Sequence, residues 1–175
     1  ESDAGSLLDA ICGDGSHEKS IGPVEDFPYI KNQTRLIFGR CGVVDPVSEE
    51  DYLAKGGYTG LDKALKMNSA EICEEVMASG LRGRGGAGFP AGIKWKTVAG
   101  AHAEQKYIVV NADEGDSGTF ADRMVMEGDP FTLIEGMTIA GVAVGATEGY
   151  IYLRSEYPVA ARVLNEALAS ARKAG

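Results

Sequence analysis

The strongest hydrophobic signal in the chain is the run Lys106-Tyr107-Ile108-Val109-Val110-Asn111. A continuous β-branched and aromatic run of this length, closed by polar residues, predicts a strand of the kind buried in parallel sheets. Tyr150-Ile151-Tyr152-Leu153-Arg154 predicts a second strand. Between them, Phe120 to Met126 reads as a short helix and Pro130 to Val144 as a longer, largely apolar one. Gly136, Gly141 and Gly145 are spaced to let the longer helix approach a sheet closely. Pro158 to Ala174 is amphipathic, with Val159, Val163, Leu164 and Leu168 on its inward side. Strand, helix, strand, helix is the order of a layered α/β fold with a parallel pair. The crossover from Asn111 to Gly149 is long enough to carry the helices that such a pair requires.

Upstream the pattern turns helical. Ser48 is a natural N-cap for a helix whose first turn, Glu49-Glu50-Asp51, is acidic, as the helix dipole prefers. Gly56-Gly57 stops it. Gly60 to Lys66 predicts a short helix with Leu61, Ala64 and Leu65 on one side. Asn68 or Ser69 caps the next, which runs to about Ser79 with Ile72, Val76 and Met77 at helical spacing. Ala91 to Val98 predicts another, carrying Lys94 and Trp95, with Pro90 at its first position. Arg40 to Pro46 reads as a short extended piece. Before it, Phe27 to Gly39 mixes apolar and basic residues, as a segment lying on a larger body does. Residues 1–26 read as irregular, with a short helix from Ser6 to Ile11 and a turn at Cys12-Gly13-Asp14-Gly15.

One stretch fits no element: Gly80-Leu81-Arg82-Gly83-Arg84-Gly85-Gly86-Ala87-Gly88-Phe89-Pro90. Residues without a Cβ let backbone approach a ligand and adopt positive φ. Successive unencumbered N–H groups form concave nests for anions, and arginine adds planar donors for phosphate or carbonyl oxygens. A flexible linker is the competing reading, but linkers draw on Ser and Gly rather than on Arg, Phe and Pro. Gly83 to Gly88 also fits G-x-G-x-x-G, yet the dinucleotide fingerprint requires a preceding strand. Here a helix with a glycine stop precedes it, which argues against an ordinary nicotinamide-only dehydrogenase.

Composition narrows the field. The 175 residues, 44% hydrophobic and 25% charged, suit one globular domain or slightly more. A net charge of −9 argues against a nucleic-acid partner. It also means that an anionic ligand must be held by local groups. No apolar run reaches membrane-spanning length, and the acidic N-terminus lacks the features of a signal peptide. Cys12, Cys41 and Cys73 are widely spaced, as reduced thiols of a cytoplasmic protein are. They form no ligand pattern with His17 or His102, so no metal ligands are assigned within this chain.

In α/β sheets ligands bind beyond the carboxyl ends of the strands. Asn111, Asp113, Glu114 and Asp116 follow the first strand; Arg154, Ser155, Glu156 and Tyr157 follow the second. If the strands are neighbours the two clusters meet, with the glycine stretch packed over them. Carboxylates suit ribose or ribityl hydroxyls, and Phe89 offers a ring face for stacking. The plainer alternatives are a solvated turn at Asp113-Glu114, an ordinary ion-pair arginine at 154, a strand core residue at Tyr152 and a surface lysine at 94.

Taken in order, Gly80 to Pro90, Gly92-Ile93-Lys94-Trp95, Asn111-Ala112-Asp113-Glu114-Gly115, Gly118 to Arg123, Asp129-Pro130 and Tyr150 to Tyr157 resemble one family. It is the FMN- and NADH-binding, 51 kDa-type flavoprotein subunit of respiratory complex I. Its relatives include the diaphorase subunits of NAD-linked hydrogenases, formate dehydrogenases and electron-bifurcating enzymes. The likeness runs from about Phe27 to the end. Arg40 to Pro46 with Gly56-Gly57-Tyr58 looks most like the soluble hydrogenase and formate dehydrogenase branch.

The resemblance implies a Rossmann-like layered α/β fold with a glycine-rich flavin loop. It divides the chain into an irregular segment (1–26), a helical lead-in (27–79) and the N-terminal part of an FMN/NADH-binding domain (80–175). It implies FMN cradled by Gly83, Arg84, Gly85 and Lys94, with Gly86 and Gly88 in the same loop. Asn111, Asp113, Glu114, Tyr152, Ser155 and Glu156 hold the other side, and Phe89 and Asp116 lie near NAD(H). Ser155 stands where the family usually has glycine, Asp116 where glutamate is common, and Thr97 where an aromatic often meets the adenine. The implied reaction is NADH oxidation through FMN, or its reverse, with electrons leaving to iron–sulfur clusters. The cofactor carries that chemistry, so no catalytic acid or base is assigned. Carboxylates such as Glu114 are expected to disfavour the reduced anion and lower the flavin potential. The implied partners are a thioredoxin-like iron–sulfur subunit of the 24 kDa type and a hydrogenase or formate dehydrogenase catalytic subunit. The family continues past residue 175 into a region whose cysteines hold a 4Fe-4S cluster. On that comparison this sequence reads as a fragment. The complex I subunit proper and a non-catalytic scaffold are the alternatives.

Overall fold

The computed structural model describes residues 3–13 and 17–175. Contacts divide the chain into two units, Glu1–Leu36 and Ile37–Gly175. In the first, helix α1 (Ala4–Cys12) begins two residues before the predicted Ser6 start and buries no side chain. Ser6 Oγ and His17 Nε2 are hydrogen-bonded at 3.2 Å, and Lys19 pairs with Asp3. A single 3-10 turn (Val24–Asp26) and the four-residue α2 (Pro28–Lys31) follow. Asp14 and Gly15, half of the predicted turn, lie outside the described residues.

The second unit is a mixed helix-and-strand body with a small parallel sheet. Helices α3 (Glu49–Ala54), α4 (Thr59–Ala64), α5 (Ser69–Ala78) and α6 (Ala91–Ala99) precede strand β1 (Tyr107–Ala112). Helices α7 (Ala121–Gly128) and α8 (Pro130–Val144) lead to strand β2 (Glu148–Leu153), and α9 (Pro158–Ala174) closes the chain. The strands pair in parallel from Tyr107↔Glu148 to Ala112↔Leu153. The predicted parallel pair and its crossover are therefore present.

Local chemistry explains the boundaries. Ser48 Oγ accepts the Asp51 N–H and caps α3. Asn68, rather than Ser69, caps α5 in a reciprocal capping box with Glu71. Gly145, at φ 75°, ends α8 in the left-handed region that glycine adopts without strain. Lys106, just before β1, donates 3.0 Å hydrogen bonds to the carbonyls of Ala99 and Val144, closing the ends of α6 and α8 together.

Three buried clusters form the core. Ala64, Ile72, Cys73, Ala143 and Val144 join α4, α5 and α8. Ala112, Met126, Ala160 and Leu164 lie between the sheet, α7 and α9. Tyr52, Phe131 and Ala167 tie α3 to α8 and α9.

Several expectations are corrected. Arg40 to Pro46 is not extended; it folds into turns in which the Val43 and Val44 N–H groups donate to the Arg40 carbonyl. Gly42 at φ 80° makes that reversal. Pro90 is the N-cap of α6, one residue before the helix proper. Leu65 and Val159 are exposed, while their small neighbours Ala64 and Ala160 are buried. Cys73, not Val76 or Met77, joins Ile72 in the core. Helices here meet through small residues, so the largest apolar side chain does not mark the inward face. Gly136 faces open space rather than the sheet, whereas Gly141 is buried. The strands are covered on one face only. Ile108, Val110, Ile151 and Leu153 pack on the helices, while Tyr107, Val109, Tyr150 and Tyr152 are exposed.

Candidate functional site

The two predicted polar clusters meet. Asn111 and Tyr152 are register partners on the open face at the carboxyl ends of the strands. The Arg154 N–H donates to the Ala112 carbonyl at 3.4 Å, carrying the pairing one step past the sheet. The Arg154 guanidinium then reaches the Glu114 carbonyl, with Nη1 at 3.3 Å. It also grips Glu156, through Nε–Oε2 at 3.1 Å and Nη2–Oε1 at 3.2 Å. Two parallel donors on one carboxylate are the strong form of this contact. The Ser155 hydroxyl donates to Glu156 as well, at 3.0 Å. The Arg154 bond, the Glu156 N–H and the Ser155 hydroxyl together hold the Glu156 carboxyl down at about 2. Glu156 is thus a fixed anion at any physiological pH.

The carboxylates after β1 are partly occupied by their own loop. Asn111 Oδ1 accepts the Asp113 N–H at 3.1 Å. Asp116 Oδ1 accepts the Gly118 N–H at 2.9 Å and organises the turn before α7. Glu114, 8% exposed, accepts the N–H groups of Asp122 and Arg123 at 3.0 and 3.1 Å. Its carboxylate therefore caps the first turn of α7. The same charge and partial burial raise the Asp122 carboxyl, burial being the larger cause.

The glycine stretch is a braced loop. Arg82 and Pro90 form an antiparallel bridge, with Gly83 N–H donating to Phe89 O at 2.8 Å and Ala91 N–H to Leu81 O at 2.9 Å. Arg82 Nη1 crosses the loop to the Gly88 carbonyl at 2.9 Å. Gly86 and Gly88 have φ of 100° and 59°, and a Cβ built on either, or on Gly85, meets nothing within 4 Å. The loop therefore presents bare backbone to open space. α6 is held close beneath it: a Cβ on Gly92 would lie 2.3 Å from Met77 Cγ on α5. That contact sets Lys94, whose Nζ lies 3.1 Å from where a Gly83 Cβ would stand. Neither the Arg84 guanidinium nor the Lys94 ammonium has a hydrogen-bond acceptor or acidic partner among the described residues. Phe89 is half exposed. No hydrogen bond or ion pair among the described residues joins this loop to the strand-end cluster.

Tyr157 is the residue whose part the sequence reading leaves undefined. Its hydroxyl donates to the Glu114 carbonyl. Two guanidiniums approach its ring, with Arg123 Cζ 5.4 Å and Arg154 Cζ 5.9 Å from the centroid. A tyrosine directly after the Arg-Ser-Glu cluster is visible in the sequence; the loop it reaches, 43 residues upstream, is not. The cavities beside β2 are apolar, lined by Met137, Gly149 and Leu168, and none of the predicted site residues reaches them.

Residues 76–175, with the braced loop, both strands and α9, match the Nuo51 FMN-binding domain, a family of 51 kDa complex I type. The chain belongs to this family. Among its relatives is the NADP-reducing hydrogenase subunit HndC of Solidesulfovibrio fructosivorans, 53% identical over 145 residues, which are 83% of this chain and 29% of that protein. An NADH-quinone oxidoreductase subunit of Aquifex aeolicus (strain VF5) is 50% identical over 147 residues, 84% of this chain and 34% of that protein. The chain thus spans about a third of the length of these curated relatives. Among solved structures, an NAD+-reducing [NiFe]-hydrogenase in the air-oxidized state matches with a TM-score of 0.61 and 28% identity, over 86% of this chain and 26% of that one. The H2-reduced state matches with 0.56 and 37%, over 64% and 20%. In the Nuo51 FMN-binding domain of this chain, no helix among the described residues is long and apolar enough to cross a membrane.

Proposed function

We propose that this chain is the FMN- and nicotinamide-binding part of a flavoprotein subunit that oxidises NADH, or reduces NAD+, within a larger redox complex. One observation carries the reading: a braced glycine loop with two cations, Arg84 and Lys94, that have no acceptor among the described residues, in a chain of the Nuo51 FMN-binding family. In a chain of net charge −9, cations left without internal partners suit a ligand that brings its own negative charge. FMN fits that donor set. Its phosphate and ring carbonyls need donors, its ribityl hydroxyls need acceptors, and its ring needs backbone without Cβ atoms.

When bound, FMN supplies two-electron exchange with a nicotinamide and one-electron exchange with iron–sulfur clusters. The chain's own residues bind and orient. Gly83, Arg84, Gly85 and Lys94 form one wall, with Gly86 and Gly88 leaving room for the ring. Asn111, Asp113, Glu114, Tyr152, Ser155 and Glu156 form the other. Phe89 and Asp116 lie on the nucleotide side. No side chain is given the role of a catalytic acid or base.

We further infer that β1 and β2 belong to a Rossmann-like layered sheet. Residues 80–175 make the N-terminal part of the flavin domain, after an irregular segment (1–26) and a helical lead-in (27–79). The partners inferred are iron–sulfur subunits, one thioredoxin-like and one the catalytic subunit of a hydrogenase or formate dehydrogenase. A 4Fe-4S cluster bound elsewhere in the full protein and a cytoplasmic location complete the reading. The 50% identity to the Aquifex NADH-quinone oxidoreductase protein favours a second assignment, the complex I subunit proper.

The test is flavin extraction from the purified full-length subunit, with NADH-dependent ferricyanide reduction measured beside it. One FMN per chain and NADH-dependent turnover are expected. Flavin without turnover points to a scaffold that keeps the fold, and a protein without flavin overturns the reading.

A further inference from the structure

We propose that Tyr157 is a positioning residue for the flavin-side loop, acting through the main chain of Glu114. The proposal deepens the FMN reading and rests on it. Glu114 is held from both ends. Its carboxylate accepts the first-turn N–H groups of α7 at 3.0 and 3.1 Å. Its carbonyl accepts the Tyr157 hydroxyl and, at 3.3 Å, Arg154 Nη1. Tyr157 and Arg154 both follow β2, whereas Glu114 follows β1. The three groups therefore lock the two strand ends together beyond the last paired residues, Ala112 and Leu153.

The division of labour within Tyr157 makes the proposal testable. Its ring packs against the Ala112, Met126, Ala160 and Leu164 cluster and near the Arg123 and Arg154 guanidiniums. Phenylalanine serves that packing equally well. Among the described residues the hydroxyl bonds only to Glu114 O. That bond fixes the Glu114–Gly115 peptide, and with it the directions in which Asp113 and Asp116 leave the loop. A Cβ on Gly115 would lie 3.3 Å from Arg154 Nη1, so the peptide is already confined on that side. With the hydroxyl gone, the carbonyl keeps, among the described residues, only the longer Arg154 bond, and the loop gains freedom where it meets the ligand.

The experiment uses the full-length flavoprotein subunit with Tyr157→Phe. Loss of one neutral hydrogen bond is expected to weaken FMN binding about tenfold. The visible circular dichroism of the bound flavin is expected to change, while the melting temperature stays near wild type. Arg154→Gln removes the second donor to the same carbonyl and leaves the Tyr157 ring in place; the same direction of change is expected. An unchanged FMN dissociation constant and flavin dichroism in a folded Tyr157→Phe protein overturns the proposal. So does a variant that melts earlier yet binds FMN as wild type does, because that is the behaviour of a merely structural tyrosine. A wild-type protein that holds no FMN overturns the underlying reading instead, and that outcome is seen before any variant is made.

Discussion

Glu135, in the middle of α8, accepts the hydroxyl hydrogen bond of Tyr52 on α3. The same carboxylate accepts the backbone N–H of Tyr58 at 3.0 Å and of Leu61 at 2.9 Å. One side chain thus closes the α3–α4 turn onto the helix that carries the core. Tyr58, at φ 62°, is the one positive-φ residue other than glycine among the described residues, and this bond is what holds it there. Burial, followed by the Glu135 carboxylate, pushes the Tyr52 hydroxyl well above its ordinary range, so it stays a donor at all working pH values. Glu135→Ala leaves two N–H groups and a buried hydroxyl without their acceptor. A loss of about 2–4 kcal/mol is expected, from roughly 1–3 kcal/mol per unsatisfied buried group partly relieved by water. Denaturant unfolding measures it, and a loss below ~1 kcal/mol would show that the carboxylate is not what fixes the turn.

Gly86 tests the loop without touching the core. Its φ of 100° and the absence of any atom within 4 Å of an added Cβ separate strain from crowding. Gly86→Val is expected to cost only about 1–3 kcal/mol of backbone strain, most of it absorbed by the exposed loop. It is also expected to fill the space that the proposed flavin ring needs. The paired measurements are FMN content and melting temperature. FMN should be lost from a protein that still melts cooperatively; FMN retained at wild-type content removes the loop from the binding site.

Much of this was legible in the sequence. Pro130 and Pro158 announce α8 and α9 because proline is favoured at the first helical position and disfavoured in the helix interior. Gly145 marks the end of α8 because few other residues adopt positive φ there. The β-branched runs announce both strands. What stayed hidden was decided by long-range partners. Glu114 reads as a ligand carboxylate, with a solvated turn as the plainer alternative, and only the fold brings the α7 N–H groups to it. Tyr157 reads as one member of the polar cluster after the second strand, and its partner on the β1 loop shows only when β1 and β2 lie side by side. The pattern places Val159 on the inward face of α9, whereas Ala160 and Ala167 make the close approach there, and small residues carry little hydrophobic signal. Arg40 reads as part of a short extended piece because its partner lies 89 residues away.

That partner is Asp129, 1% exposed, whose Oδ2 accepts Arg40 Nε at 2.9 Å and the Thr132 hydroxyl at 2.6 Å. Its Oδ1 is buried with no hydrogen-bond partner among the described residues. Arg40 also stacks on Tyr52, with Cζ 4.7 Å from the ring centroid. Arg40→Met keeps most of the stem but abandons a buried carboxylate. About 3–5 kcal/mol of destabilisation is expected, the usual cost of removing one partner of a buried pair. Asp129→Asn in the Arg40→Met background removes the stranded charge and should recover part of the loss. A double mutant no more stable than the single one would show that Asp129 is not the charge Arg40 neutralises.

The Arg154–Glu156 pair gives the site a pH signature of known sign. Glu156 is held at about 2 in the folded protein, against 4.5 for an unperturbed glutamate. A depressed acid binds fewer protons when folded than when unfolded, so the pair's contribution is fully present above about 4.5 and fades as pH falls toward 2. Glu156→Gln abolishes that contribution at every pH. The stability difference between wild type and Glu156→Gln should therefore be constant from neutral pH down to about 4.5, then shrink through the window to 2. Because the pair lies at the surface, the difference should be small and should shrink further in high salt. Carboxyl-detected NMR titration reports the same group directly. A Glu156 midpoint near 4.5 would mean that Arg154 does not hold it, and that the guanidinium is committed to the Glu114 carbonyl alone.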